Sequence, residues 1–248
     1  MNALRFAFAS LRYHKQTIRP YWLVSLVFSL VISFLWCLKH SFALFYQQVI
    51  QLFSSEQSNG QTSLFSNELQ AYINKVDCFY LVLIIVASGS LLLFTAFFLW
   101  HFLKKRQDFL IFRNSGITKQ WFLQIWLEFL LPALLLLAFT ILLFLILQPF
   151  LQTVILSIHQ KVISFLGMDH LQLAVDTADR SRWLIKLPAN GAALFNSIQL
   201  PTRSWSLILI QGAFLSFLNL LVINSLLLPL FSLYFYKRRK NNDRHSFE

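Results

Sequence analysis

Five basic residues and one acid are concentrated in a single stretch of this otherwise apolar chain, FLKKRQDFLIFRNSGITKQW, which runs from Phe102 to Trp121. The stretch places the apolar run Phe109–Phe112 between Asp108 and Arg113. Charged groups that flank exposed apolar side chains are suited to docking another protein, because the charges give specificity and the apolar atoms bury area. The alternative is a charge cluster that only fixes the orientation of membrane spans, with its apolar residues dipping into the lipid interface.

The same stretch predicts a short helix with a defined end. Its charged face would meet solvent or lipid head groups, and its apolar face would pack on protein. Gly116 would end this helix with a positive φ, which glycine adopts without strain. Thr118 would then cap the following helix.

Groups for covalent, metal or nucleotide chemistry are not arranged in recognisable patterns. The chain has no GxxxxGK[ST] loop for nucleotide phosphates. Its six His residues show no metal-ligand spacing, and no Ser/His/Asp arrangement is suggested. We therefore expect no catalytic residue, no metal site and no cofactor in this chain.

Glu128 is the one acid well inside an apolar run. A carboxylate in a membrane span indicates a functional site by default, here a substrate or proton site. Because Glu128 lies close to the predicted inner boundary, the preferred interpretation is structural: it snorkels to the interface or pairs with Lys119 or Arg113.

The two cysteines, Cys37 and Cys78, lie at the predicted outer ends of the first and second spans. Adjacent antiparallel spans would bring them together in an oxidising exterior, which makes them a candidate disulfide. The preferred alternative is two small apolar residues that face lipid or protein.

Composition indicates an integral membrane protein. The chain is 57% hydrophobic, contains 27 Phe and has only 12% charged residues, whereas a soluble domain has about 25%. Four apolar runs are long enough to cross a bilayer. The net charge is +11, and the basic residues lie beside these runs. Their position favours a role in membrane topology over binding to nucleic acid.

The distribution of Lys and Arg predicts the topology. The positive-inside rule places both termini and the central basic loop in the cytoplasm. Pro20 is expected to break the chain between an in-plane helix and the first span. The predicted fold is an all-α membrane protein with a small mixed extracellular cap, in this order: in-plane amphipathic helix 1–20, span 21–38, short extracellular loop 39–78, span 79–103, cytoplasmic loop 104–121, span 122–148, larger extracellular loop 149–205, span 206–236 and basic tail 237–248.

Within the cap, FLQTVILSIHQKVISFLG carries a helical stripe, and HLQLAVDT and RWLIKLP alternate in a strand-like way. The stripe residues are Leu151, Ile155, Ile158, Val162 and Phe165. We expect this helix to lie on the outer membrane surface.

The stretch KKRQDFLIFRNSGITKQWFLQIWLEFLL resembles the cytoplasmic loop of the FtsX/MacB-like family of ABC permeases, including the Gram-positive peptide-resistance branch. In that family an acid, three or four apolar residues, a basic residue and then a glycine precede the next span. Asp108, Arg113 and Gly116 stand at those positions, and Glu128 resembles an acid common in the following span. The four-span order and the proline in LLLPLFSLYFYKRRK are similar to the family as well.

The resemblance implies a permease that does not hydrolyse ATP. A separate ATPase would bind ATP and Mg²⁺, dimerise beneath this chain and a second or related permease copy, and push on the loop. The long helices would pass the movement to the outer face of a Gram-positive cytoplasmic membrane, a mechanism called mechanotransmission. The expected ATPase-coupling residues are Asp108, Phe109, Leu110, Ile111, Phe112, Arg113, Gly116, Thr118 and Lys119.

Three functions remain open at this point. The first is export or release of an amphipathic peptide or lipid. The second is an FtsX-like regulator that activates an extracellular cell-wall hydrolase, and the third is a non-transporting immunity or scaffold protein. A soluble ATPase encoded beside this chain would support the first two.

Overall fold

The computed structural model describes residues 9–13, 15–55, 62–105, 118–165 and 201–245, and within these ranges it contains no strand. Four helices include stretches long and apolar enough to cross a membrane: Ile18–Phe45, Ile73–Lys104, Leu123–Ile146 and Thr202–Tyr234. The prediction of an all-helical chain with four such helices is confirmed for the described residues. The helices are α1 Lys15–Ser55, α2 Thr62–Lys105, α3 Thr118–Ile146, α4 Gln148–Phe165 and α5 Thr202–His245.

Helices α1 and α2 extend into segment 39–78, which the sequence predicts to be a loop. Residues 39–55 and 62–78 are helical, so each span continues well beyond its apolar part. Residues 39–55 contain neither Gly nor Pro, and nothing in that stretch breaks the hydrogen-bond ladder.

The predicted chain break at Pro20 is wrong, because Pro20 lies inside α1. A proline in a helix removes the hydrogen bond to the carbonyl four residues earlier, here Gln16. Its neighbours Ile18 and Tyr21 are buried, so packing on both sides holds the helical backbone through the proline. Residues 9–13 are helical too, while the in-plane position of segment 1–20 stays a prediction.

Helices α3 and α4 meet at Leu147, where the chain keeps helical hydrogen bonds. The Leu147 N–H donates to the Leu143 carbonyl and the Leu151 N–H donates to the Leu147 carbonyl, both at 2.9 Å. Pro149 cannot donate to the Leu145 carbonyl, which explains the interruption here.

The helix predicted in the outer loop is present as α4. Of its predicted stripe, Leu151 and Ile155 are buried, but Phe165 is exposed. Its position on the outer membrane surface stays a prediction. The strand-like runs of the predicted mixed cap lie outside the described residues.

The chain forms two compact units. The first contains Met1–Ser33, Ile85–Leu142 and Ala213–Glu248, and the second contains Phe34–Ile84 and Leu143–Gly212. Each unit has its own buried residues, and each holds one of the two polar centres described below.

Candidate functional site

The structure describes the two helices that flank the predicted coupling loop. Helix α2 ends at Lys105 and helix α3 begins at Thr118, so Thr118 and Lys119 form the first turn of α3. The other predicted coupling residues lie outside the described residues: Asp108, Phe109, Leu110, Ile111, Phe112, Arg113 and Gly116. Their role stays a prediction.

Both flanking helices enter one buried cluster in the first unit, which we call the stem cluster. It joins the end of α2 and the start of α3 to α1 and α5. None of its eight residues is more than 4% exposed: Ile18, Tyr21, Leu99, Phe102, Leu103, Ile125, Phe129 and Leu228.

Tyr21 occupies the middle of the stem cluster and has no exposed surface. Its ring stacks on Phe98 with centroids 4.5 Å apart and meets the edge of Phe129 at 5.4 Å. Its hydroxyl donates a hydrogen bond of 2.9 Å to the Asn224 Oδ1 atom on α5. The sequence places an aromatic face opposite it, because the phenylalanines at 94, 98 and 102 recur every four residues along α2.

Glu128 lies beside this cluster on α3 and is 1% exposed. Gln124, one turn earlier, donates from Nε2 to the Glu128 Oε1 atom at 3.0 Å. The carboxylate is therefore covered and does not extend toward solvent, as snorkelling would require. Its amide partner was not among the residues that the sequence indicated.

The second unit contains a buried polar network centred on His159 of α4. The His159 Nε2 atom is 2.8 Å from the Ser41 Oγ atom, and the Nδ1 atom is 2.8 Å from the Tyr80 hydroxyl. Ser41 donates its own hydrogen to the Leu38 carbonyl at 3.0 Å. It follows that Nε2 carries the imidazole hydrogen and donates to Ser41, while Nδ1 accepts from Tyr80.

This network connects α1, α2 and α4 and is suited to holding them together. A nucleophilic serine would have to give its proton to the imidazole, whereas Ser41 gives its hydrogen to the backbone. The rings of Phe42 and Phe45 lie 5.6 and 6.3 Å from the imidazole. Burial lowers the pKa of His159 to about 3, so the ring is neutral near pH 7.

Sequence reasoning missed the His159 network because its partners are far apart along the chain, 118 residues in the case of Ser41. One signal was present: His159 follows Leu151 and Ile155 at four-residue steps, on the buried stripe of α4. A histidine in the middle of an apolar stripe indicates a buried hydrogen-bonded group.

Helix α5 supplies polar side chains to two neighbours in the first unit. Besides the Tyr21 contact, Ser216 lies 3.1 Å from Ser29 of α1, oxygen to oxygen, and the Asn219 amide donates to Ser88 of α2 at 2.6 Å. Hydrogen bonds of this kind hold helices together in membranes, where apolar burial between helices gives little.

The candidate disulfide between Cys37 and Cys78 is wrong, since both cysteines are free. Cys37 is buried, with its Sγ atom 3.6 Å from the Ile208 carbonyl of α5. Cys78 is exposed on α2. The Cys37 thiol of α1 therefore contacts the backbone of α5 and not Cys78.

These positions predict different thiol reactivities. In detergent, a maleimide reagent should label Cys78 rapidly and should label Cys37 only after denaturation, because burial denies the reagent access. Mass spectrometry of wild type, Cys37→Ala and Cys78→Ala would measure the two sites separately. Equal labelling rates in the folded protein would contradict the burial of Cys37.

Among the described residues, no three His, Cys, Asp or Glu side chains come together in a way that could hold a metal ion. Comparison with protein-family models, with curated proteins and with solved structures finds no match for this chain.

Proposed function

We propose that this chain is the membrane subunit of a bacterial ABC transporter of the mechanotransmission type. It couples a partner ATPase to the export or release of an amphipathic peptide or lipid at the outer face of the cytoplasmic membrane. The observation that carries the proposal is the stem cluster, because it ties both ends of the basic loop to α1 and α5.

A close-packed cluster suits a coupling role. Protein interiors are packed as densely as organic crystals, so they transmit displacement instead of absorbing it. A push on the loop would act on Phe102 and Leu103 at one end and on Ile125 and Phe129 at the other. The four helices would move together.

The length of α2 supports the same role. A helix of 44 residues is about 66 Å long when straight, and the hydrocarbon layer of a bilayer is about 30 Å thick. Helix α2 therefore has more residues than a membrane span needs, as expected of a helix that passes a displacement from the loop beyond the apolar layer.

In this proposal the chain works with other components. Arg113 and the apolar run 109–112 contact the ATPase, which supplies ATP and Mg²⁺. A second permease copy or a related permease completes the transporter, and both termini lie in the cytoplasm. The lipids around the spans and an extracellular peptide or hydrolase are the other expected partners.

The proposal predicts that an ABC ATPase is encoded beside this chain and is captured with it from detergent. Arg113→Glu should weaken capture about 30-fold, since charge reversal at a central interface arginine removes at least a hot-spot contribution. Arg203→Glu is the matched control, because Arg203 is exposed at the start of α5 on the predicted outer side. Binding is measured by pull-down with graded ATPase concentrations.

Two results would contradict the proposal. Equal weakening by Arg113→Glu and Arg203→Glu would show a general charge effect and not a docking loop. Failure of wild type to capture the ATPase would favour a stand-alone immunity or scaffold protein. A hydrolase captured together with the ATPase would instead identify the FtsX-like regulator.

A further inference from the structure

Helices α1 and α5 share a row of buried polar side chains within the first unit. Its members on α1 recur every four residues: Tyr21, Ser25, Ser29 and Ser33. None of them is more than 6% exposed. Its members on α5 are eight residues apart and also buried: Ser216 and Asn224. Along α1, members that are bonded to α5 alternate with members that are not.

Tyr21 and Ser29 are the bonded members of the row. The Tyr21 hydroxyl donates to the Asn224 Oδ1 atom at 2.9 Å. The Ser216 hydroxyl donates to the Ser29 backbone carbonyl at 2.9 Å and lies 3.1 Å from the Ser29 hydroxyl. Both pairs have the same register, because a step of eight residues forward along α1 matches a step of eight residues back along α5.

Ser25 and Ser33 are the members without a bond. Each is fully buried, and its hydroxyl has no hydrogen-bond partner among the described residues. A helical serine can donate to the carbonyl four residues earlier, as Ser90 does to Val86 at 2.9 Å. Ser25 and Ser33 do not make this bond. An unpaired hydroxyl is costly in an apolar environment, so the observed arrangement alone does not account for these two serines.

A displacement of one helical turn would exchange the bonded and the unbonded members. If α5 moves by four residues toward the C-terminal end of α1, about 6 Å, Asn224 reaches the level of Ser25 and Ser216 reaches the level of Ser33. The second new pair would repeat the observed bonds, because Ser33 offers the same hydroxyl and backbone carbonyl as Ser29. Side chains recur every four residues along one ridge of a helix, so a step of this length returns ridges to grooves.

The displacement leaves most of the stem cluster in place. Helix α5 supplies only Leu228 to that cluster, and the seven other members belong to α1, α2 and α3. The displacement does break the hydrogen bond of 2.6 Å that Asn219 of α5 donates to Ser88 of α2. The observed register is therefore the more stable one, and the displaced register is a minor state.

We propose that α5 occupies two registers against α1, one turn apart, and that the polar row defines both. The observed register bonds Tyr21 and Ser29, and the displaced register bonds Ser25 and Ser33. One-turn steps of one packed element past another occur in allosteric proteins. The step changes the position of α5 against α1, so it is separate from a joint movement of the four helices. It needs no ATPase and stands independently of the proposed function.

Disulfide trapping in membranes that contain the full-length protein detects each register by its own pair of engineered cysteines. The background is a variant without the two native cysteines. Ser29→Cys with Ser216→Cys reports the observed register, and Ser33→Cys with Ser216→Cys reports the displaced register. Ser25→Cys with Ser216→Cys is the matched control, because it requires a step of one turn in the opposite direction.

The displaced pair should form a disulfide about 10- to 1000-fold more slowly than the observed pair, as expected for a minor state populated at about 0.1–10%. The control pair should form none above background in the same time. Asn219→Ala removes a bond of the observed register alone, so it should speed trapping of the displaced pair about threefold. Ser25→Ala removes a bond of the displaced register alone, so it should slow the same trapping about threefold.

Three results would overturn the proposal. Equal rates for the displaced pair and the control pair would show random motion of the helices and not a second register. A displaced pair that forms no disulfide, in membranes where the observed pair does, would show that α5 holds one register. Trapping of the displaced pair that neither Asn219→Ala nor Ser25→Ala changes would show that the polar row does not define the step.

Melting temperatures of Ser25→Ala and Ser29→Ala test the alternation without engineered cysteines. Ser29→Ala should melt below wild type, because it removes a hydrogen bond to Ser216. Ser25→Ala should melt at the same temperature as wild type or higher, because its buried hydroxyl has no partner among the described residues. Equal decreases in the two variants would show that Ser25 is already bonded in the observed register, which removes the reason for a second one.

Discussion

Tyr21→Ala is expected to lower the free energy of unfolding by about 3 kcal/mol. This value lies at the lower end of the losses found when a buried aromatic side chain is truncated. Tyr21 is fully buried at the centre of the stem cluster, so truncation removes its ring contacts with α2 and α3 and leaves a cavity. It also removes the only hydroxyl shown to donate to Asn224 among the described residues. Unfolding by SDS titration of the purified protein measures the loss.

Two further variants show which part of Tyr21 matters. Tyr21→Phe keeps the ring and removes the hydroxyl, so it should cost about 1 kcal/mol. A double-mutant cycle of Tyr21→Phe with Asn224→Ala should give a coupling of about 0.6 kcal/mol and at most about 1.7 kcal/mol, as for other hydrogen bonds between membrane helices.

Tyr13→Ala is the matched control, since Tyr13 is 83% exposed. It should change stability by less than about 0.5 kcal/mol. A loss in Tyr21→Ala no larger than in Tyr13→Ala would contradict the packing of the stem cluster. If Tyr21→Ala also abolishes ATPase capture in a protein that remains folded, the cluster and the docking loop form one mechanical unit.

Replacing His159 is the second substitution with a large expected effect. His159→Phe preserves an aromatic ring but removes the acceptor for Tyr80 and the donor for Ser41. Leaving the buried Tyr80 hydroxyl without its acceptor costs about 1–3 kcal/mol, and the lost hydrogen bond to Ser41, which keeps its bond to the Leu38 carbonyl, adds about 1 kcal/mol. We expect a total loss of about 2–4 kcal/mol, measured by the same SDS titration.

The protonation of His159 predicts how this stability depends on pH. Burial lowers its pKa from 6.5 to about 3 in the folded protein, so between these values the unfolded state binds the extra proton. The contribution of neutral His159 to the free energy of unfolding is therefore fully present above pH 6.5. It falls as the pH decreases toward 3, by about 1.4 kcal/mol for each pH unit.

The comparison is best made from pH 7.5 to 5, before most carboxylates titrate. Wild type should lose about 2 kcal/mol more than His159→Phe over this interval. The ion pair between Lys39 and Asp77, 3.3 Å apart in the same unit, is present in both proteins and cancels in the difference. Parallel pH profiles would show that the imidazole is not kept neutral by burial.

The spans could be predicted from the sequence because each depends on a local property, the length of an apolar run. The continuation of α1 through residues 39–55 was harder to predict, since Lys, His and Gln interrupt the apolar pattern there. The chain break predicted at Pro20 is wrong for a related reason. The packing of its neighbours outweighs the local preference of proline against a helix interior. The polar pairs could not be predicted, since His159 and Ser41 are 118 residues apart and nothing in either segment specifies the other.

For the candidate site, the sequence indicated Glu128 as an unusual acid inside an apolar run, but neither its burial nor Gln124 as its partner. It indicated the loop but not the stem cluster, because Tyr21 and the phenylalanines of α2 lie in apolar runs whose contacts depend on how the helices are arranged. The one-turn spacing of those phenylalanines is visible in the sequence. It predicts an aromatic face on α2 but does not predict that Tyr21 packs against it.

The hydrogen bonds of α5 have a consequence for biosynthesis. Asn224, Ser216 and Asn219 follow their partners Tyr21, Ser29 and Ser88 by 203, 187 and 131 residues. At about 5–20 residues per second, the ribosome needs roughly 10–40 s to deliver Asn224 after Tyr21. During that interval α1 and α2 lack the polar partners of the finished protein, so α5 is the segment whose arrival completes the fold, and a chain released before it presents those groups to lipid and to the proteases that remove unassembled membrane proteins.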